Sequence, residues 1–124
     1  MAHLSGKEQK FISEALNTNW VVPIGPNVDA FEADLEAFVG DGRKVVALAS
    51  GTAALHLALV ASGVGEGDEV LAQTFSFCAS SNPIKYVGAR PVFIDSEKET
   101  WNISPELLEE AIRERERKTG RRPK

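Results

Sequence analysis

Apolar and polar positions recur along this chain with two different periods, and the changes of period divide it into elements. Phe11, Ile12, Ala15 and Leu16 follow helical spacing, which predicts a short amphipathic helix over residues 5–17 with Ser5 as its cap. Residues 17–25 break that period with Trp20, Val21, Val22, Pro23 and Ile24. Apolar loops of this kind cover a core or line a pocket. Val28, Phe31, Leu35, Phe38 and Val39 then share one face of a second helix, with Asp29, Glu32, Asp34 and Glu36 off that face and Gly40 as its stop.

From residue 43 the order becomes regular. The run Val45 to Ala49 predicts a strand at 44–49, followed by a helix at 52–62, a strand at 69–73, a helix at 78–87 and a strand at 91–95. A last helix runs from Ser104 or Pro105 to Arg117, with Leu107, Leu108, Ala111 and Ile112 inside and a Ser cap followed by Pro in the first turn. The basic segment from Thr119 to Lys124 reads as a connection to another strand. Short apolar strands alternating with helices predict an α/β fold, a βαβαβ order with two preceding helices. Its strands are parallel, its crossovers right-handed, and helices cover the sheet faces. Residues 1–42 are then amino-terminal helices with a loop, and 43–124 a partial α/β domain.

Composition narrows the class. With 124 residues, 43% of them hydrophobic, the chain fits one soluble domain or a piece of a larger one. A net charge of -4 provides no basic field, so neither nucleic acid nor an anionic membrane is an expected partner. One cysteine, Cys78, excludes an internal disulfide, and two histidines far apart in sequence provide no metal-ligand cluster. No basic segment precedes an apolar core at the amino end, and charge, Gly or Pro interrupts every apolar window before membrane-spanning length. The expected compartment is the cytoplasm.

Candidate chemistry centres on Ser50-Gly51-Thr52-Ala53-Ala54-Leu55, where strand formers give way to helix formers. The first amides of a helix have no partner inside it, and the summed peptide dipole leaves positive potential there, so the turn can hold an anion. Gly51 admits close approach, and Ser50 and Thr52 offer hydroxyls to a phosphate or simply cap the helix; both readings stay open. The Gly63-Val64-Gly65-Glu66-Gly67 cluster follows a helix and precedes a strand, the reverse of a dinucleotide fingerprint, and reads as a helix stop and turn.

Ligands of open α/β sheets gather at the carboxyl ends of strands, which brings Ser50–Ala53, Gln73–Phe77 and Asp95–Glu97 to one edge. Phe75 and Phe77, two apart, share a face in extended backbone and serve either a flat ligand ring or the core. Asp95 is a ligand contact or a turn residue; Ser80, Ser81 and Asn82 are ligand contacts or caps. Cys78 reads as a small buried hydrophobe, His56 as structural, and Trp20 as either a ligand wall or a core closure.

Six segments together carry a resemblance. They are Asn19-Trp20 through Ile24-Gly25-Pro26, the Phe31-Glu32 helix, Ser50 to Leu55, Gly67-Asp68-Glu69-Val70, Thr74 to Asn82, and Gly88 to Asp95. In this order they resemble the amino-terminal part of the DegT/DnrJ/EryC1/StrS sugar aminotransferases, over essentially the whole chain. The resemblance implies a fold-type I pyridoxal phosphate enzyme, usually a homodimer, that moves an amino group from glutamate to a nucleotide-linked keto sugar. By the family's pattern Gly51, Thr52 and Ala53 hold the cofactor phosphate, Phe77 stacks on the pyridine ring, and Asn82 is a further contact. Trp20 and Gly25 belong to the loop that approaches the sugar.

The family's cofactor-anchoring lysine and the acidic partner of the ring nitrogen lie in stretches that this chain does not contain. Lys44, Lys85 and Lys98 do not fit the lysine's place, and Asp95 does not fit the acid's. No catalytic residue is therefore assigned here. The isolated chain is expected to be inactive and to associate with a second copy or with the missing carboxy-terminal portion. Two alternatives accompany this reading: a dehydratase of the same family, and a non-catalytic binding fragment whose sheet edge a partner covers.

Overall fold

A computed structural model describes residues 3–124, which fall into two compact units, one running up to Ala47 and the other Leu48–Lys124. The first unit contains α1 (Glu8–Asn17) and α2 (Pro26–Val39). Helix α1 begins later than the pattern predicts because Ser5 does not cap it. Instead the Glu8 carboxylate reaches back and accepts from the Ser5 amide at 2.7 Å, the Ser5 hydroxyl at 2.9 Å and the Gly6 amide at 2.9 Å. The Ser5 amide, with its own backbone N–H and the Ser5 hydroxyl adding to it, lowers the Glu8 carboxyl to about 2. Helix α2 has Pro at its first position, where the missing N–H costs nothing, and Gly40 closes it by donating to the Glu36 carbonyl at 2.9 Å.

The expected first strand, 44–49, is not formed. Residues 45 and 47 present their amides to side chains: Val45 N–H donates to Glu36 Oε1 at 3.1 Å and Ala47 N–H to Glu32 Oε1 at 2.7 Å. Lys44 Nζ adds a bond to Glu36 Oε2 at 2.9 Å. Alternate amides of an extended segment point the same way, and carboxylates four apart on a helix lie one above the other, so the two periods meet. A strand requires a neighbouring strand, and none pairs with this segment among the described residues.

The second unit runs α3 (Gly51–Ala61), β1 (Glu69–Gln73), a 3-10 turn (Cys78–Ser80), α4 (Asn82–Tyr86), β2 (Arg90–Ile94) and α5 (Pro105–Thr119). The two strands are parallel, in register from Glu69 opposite Arg90 to Gln73 opposite Ile94. The α/β class with parallel strands stands, with two paired strands in place of three. The single helix expected at 78–87 is divided, because Pro83 has no N–H with which to continue a helix from residue 79 yet fits the first turn of a new one. Between α3 and β1, Gly65 and Asp68 close the expected turn by exchanging two hydrogen bonds of 3.1 Å.

Val64, Ile84 and Ala89 form the buried centre of this unit, with Leu59, Val70, Ala72 and Val87 packed around them. Helix α5 starts where the Ser104 hydroxyl accepts from the Leu107 amide at 3.3 Å and ends at Gly120. Past it, Lys124 N–H donates to the Glu69 carbonyl at 2.7 Å and its carbonyl accepts from Leu71 N–H at 3.2 Å, on the edge of β1 away from β2. No helix of the described residues is long and apolar enough to cross a membrane.

Candidate functional site

Helix α3 starts at Gly51 because Ser50 is extended, with φ at -162°, and turns its hydroxyl back to accept from the Ala53 amide at 3.1 Å. Ala54 N–H bonds the Ser50 carbonyl at 3.0 Å. The Ser50 hydroxyl is thus spent on the cap. The amides of Gly51 and Thr52 have no partner among the described residues. A Cβ at Gly51 would meet no other heavy atom within 4 Å, so the approach to these two amides is open. Paired free amides at the positive end of a helix, beside the half-buried Thr52, attract and orient an anion.

Helix α3 packs against both the 3-10 turn and α4. His56 meets Tyr86 edge-on, ring centroids 5.6 Å apart at 72°, which fits its structural reading. Phe77 immediately precedes the 3-10 turn in extended backbone, and its ring is 79% exposed, so it is no part of the core. Asn82 opens α4 and is exposed. Ser80 and Ser81 are engaged locally, with the Ser76 hydroxyl 2.9 Å from that of Ser80 and the Ser81 hydroxyl donating to the Cys78 carbonyl at 3.1 Å. Cys78 corrects the expectation of a buried thiol: it is exposed, because the 3-10 turn that carries it lies on the surface.

Trp20 and Gly25 come together in the first unit. The indole lies over the glycine so closely that a Cβ there would sit 2.5 Å from Trp20 Cε3, and only glycine fits. Of the three lysines considered, Lys44 is paired with Glu36, Lys85 lies in the last turn of α4 and Lys98 lies in the loop after β2.

A second group gathers at the carboxyl ends of β1 and β2. Thr74, Phe75, Asp95, Ser96, Lys98 and Trp101 line a cleft of about 400 Å³ together with Glu97. The Phe75 and Trp101 rings stand 5.4 Å apart, tilted at 47°. Asp95 Oδ1 accepts from the Thr74 hydroxyl at 3.3 Å and from the Ser96 amide at 2.8 Å, the turn role foreseen for it. Gln73 Nε2 closes the loop by donating to Ser96 Oγ at 2.9 Å and to the Trp101 carbonyl at 2.6 Å. Trp101 carries no sequence signal for this place, since a side-chain bond across 28 residues brings it there.

Residues 3–119 match the model of the DegT/DnrJ/EryC1/StrS aminotransferase family. The chain belongs to this family. It is 52% identical over 122 residues to EpsN of Bacillus subtilis (strain 168), named as a pyridoxal phosphate-dependent aminotransferase, covering 98% of this chain and 31% of that protein. It is 41% identical over 109 residues to the GDP-perosamine synthase of Escherichia coli O157:H7, covering 88% and 30%. Among solved structures, the pyridoxal phosphate form of Spr1654 from Streptococcus pneumoniae, named as a sugar aminotransferase, superposes with a TM-score of 0.78 at 34% identity over 89% of this chain and 28% of that one. The chain spans 31% and 30% of the lengths of the two relatives.

Membership of the DegT/DnrJ/EryC1/StrS aminotransferases makes this an enzyme family chain with the fold of its solved relatives, and the Spr1654 structure is a pyridoxal phosphate form. The geometry at α3 fits that group. A dianionic phosphate needs free donors and room to approach, and Gly51 and Thr52 offer both.

Proposed function

We propose that this chain provides the phosphate cradle and ring-stacking wall of a pyridoxal phosphate enzyme that transfers an amino group from glutamate to a nucleotide-linked keto sugar. The observation that carries this reading is the pair of unpartnered amides at Gly51 and Thr52, with open space at Gly51. Thr52 adds its hydroxyl. Ala53 contributes a small side chain that keeps the approach clear, because its amide is held by Ser50. The exposed Phe77 ring is available to the flat face of the cofactor, and Asn82 to its polar substituents. When bound, pyridoxal phosphate supplies an electron sink for the carbon that gains or loses the amino group.

The chain's own part is to bind and orient. Moving a proton at the substrate carbon requires a base, and in this reading Lys44, Lys85 and Lys98 do not supply it. The base therefore comes from further polypeptide or from an associating chain, and this chain alone does not complete the transfer. Leu4 and Phe38 are 76% and 87% exposed, and apolar surface of this extent suits burial in a homodimer or against a carboxy-terminal portion. Residues 1–42, with Trp20 and Gly25, form the substrate side in this reading, and 43–124 the cofactor side; the enzyme works in the cytoplasm.

Titration of the full chain with pyridoxal phosphate and with pyridoxal, followed by absorbance, tests the cradle. Pyridoxal phosphate is expected to bind more tightly, and Thr52→Val to weaken it. Equal binding of the two compounds, with Thr52→Val indistinguishable from the parent, would sink the assignment.

A further inference from the structure

The cleft of about 400 Å³ at the carboxyl ends of β1 and β2 shares no residue with the start of α3, and the function proposed above makes no use of it. Its volume lies in the range of small-ligand sites. Its aromatic wall is wet, with Phe75 65% and Trp101 61% exposed. The wall is also fixed. Gln73 Nε2 donates to the Trp101 carbonyl and to Ser96 Oγ, which pins the loop carrying the indole to the end of β1. Trp101 keeps a φ of +64°, a conformation that a bulky residue holds only where its surroundings impose it. The Thr74 hydroxyl, 3.3 Å from Asp95 Oδ1, ties that carboxylate to the residue next to Phe75.

Three features select a ligand class. The two rings are 5.4 Å apart and tilted at 47°, so they offer no single plane to a flat ring but two inclined faces to a rounded group. Asp95 and Glu97 outnumber Lys98 among the charged residues of the cleft, which favours a cation. Directional partners are largely spent. The Thr74 hydroxyl lies 3.2 Å from the Ile94 carbonyl as well as near Asp95, the Ser96 amide donates to Asp95 Oδ1, and the Glu97 carboxylate accepts from the amides of Glu99 and Thr100. A quaternary ammonium needs no hydrogen bond, and aromatic faces attract it through their negative quadrupole.

We infer that this cleft holds the quaternary ammonium head of a small free organic cation of the choline type against Phe75 and Trp101, with Asp95 as the counter-charge. The attraction to Asp95 does not require contact, since a Coulomb interaction falls off only as the reciprocal of distance within the screening length. Asp95 Oδ2 has no partner among the described residues, so no bound cation of the protein neutralises it. Lys98 opposes the ligand by like charge, which gives the inference a second sign to test: removing that ammonium improves binding of a cation and weakens binding of an anion.

The test is a titration of the full chain with choline and with its neutral isostere 3,3-dimethylbutan-1-ol, followed by amide and indole N–H signals in nuclear magnetic resonance. Choline is expected to shift the Trp101 indole and the Asp95–Lys98 amides and to bind about tenfold more tightly than the neutral alcohol. Trp101→Leu should weaken choline about fivefold, while Trp101→Phe retains most of the binding. Asp95→Asn keeps an acceptor for Thr74 and Ser96 but removes the charge, and should weaken choline about threefold. Lys98→Met should strengthen it about twofold. Amide spectra of each variant report whether the fold is kept. Equal binding of choline and the alcohol, shifts that leave Trp101 and Asp95 unmoved, or weaker choline binding in Lys98→Met overturns the inference. Phosphatidylcholine vesicles present the same head group on a surface, and shifts from vesicles with none from choline would overturn the assignment to a small free cation. Pyridoxal phosphate titrated in parallel reports on Gly51 and Thr52, so failure of either site is read separately from the other.

Discussion

Arg115 in α5 clasps Glu69 at the start of β1 with two hydrogen bonds of 2.7 Å, Nε to Oε2 and Nη2 to Oε1. Arg90, opposite Glu69 in β2, bonds the same carboxylate. The side chains of Glu69 and Arg115 retain 12% and 18% of their exposure, so this cluster fastens a surface helix to the sheet in a partly dry place.

The clasp has a pH dependence of definite sign. The Arg115 hydrogen bonds hold the Glu69 carboxyl below the usual carboxylate range; partial burial opposes them, and Arg90 adds to them. A carboxyl with a depressed folded pKa stabilises the protein fully above its unfolded value of about 4.3 and loses that contribution as pH falls through it toward the folded value. Urea midpoints measured from neutral pH downward should fall less steeply below about pH 5 in Glu69→Gln than in the parent chain. Identical slopes would show that the clasp is not what acid breaks.

Ile84 is 2% exposed at the centre of a small core, between α4 and the sheet. Replacement by Ala removes its methylene contacts and leaves a cavity, at a cost of about 2–5 kcal/mol. Against a typical total of about 5–15 kcal/mol, this should unfold much of the second unit near room temperature in mild urea. Circular dichroism through a urea series checks it, and a loss under about 1 kcal/mol would mean that the unit is held elsewhere.

Elements bounded by local chemistry were legible in the chain. β1 falls at 69–73 as the pattern predicts, because Gly67-Asp68 ends the preceding turn and a short apolar run follows. Helix α5 begins at Ser104-Pro105 for the same kind of reason. What failed depended on distant partners. Residues 44–49 carry a strand's composition, but pairing is non-local, and Glu32 and Glu36 take amides that a neighbouring strand would otherwise hold. At the start of α3, the turn after Ala49 was legible as a capped helix start, whereas the division of labour within it was not. Only the geometry shows Ser50 closing on Ala53 and leaving Gly51 and Thr52 free.

The carboxylate clamp on residues 45 and 47 can be opened by itself. Glu32→Ala with Glu36→Ala leaves Val45 and Ala47 without their acceptors, and their amide protons should exchange with solvent about tenfold faster, as expected for one lost hydrogen bond each. The Trp20 amide, which bonds the Ala15 carbonyl at 2.9 Å in the same unit, serves as the internal reference. Unchanged exchange at Val45 and Ala47 would mean that the two carboxylates do not protect them.

Gly51→Ala separates what this glycine does for the fold from what it does for a ligand. Gly51 has an ordinary helical φ, and a Cβ placed there touches nothing within 4 Å, so the folded chain has no steric reason to require glycine. Alanine restricts the unfolded chain more, and α3 should gain up to about 1 kcal/mol of stability. The open space at Gly51 is also the path by which an anion reaches the Gly51 and Thr52 amides, and a methyl group would stand in it. The variant is therefore expected to raise the urea midpoint while weakening pyridoxal phosphate retention. Loss of stability would return Gly51 to a purely structural role, and a stabilised variant with undiminished retention would place the cofactor phosphate somewhere other than the start of α3.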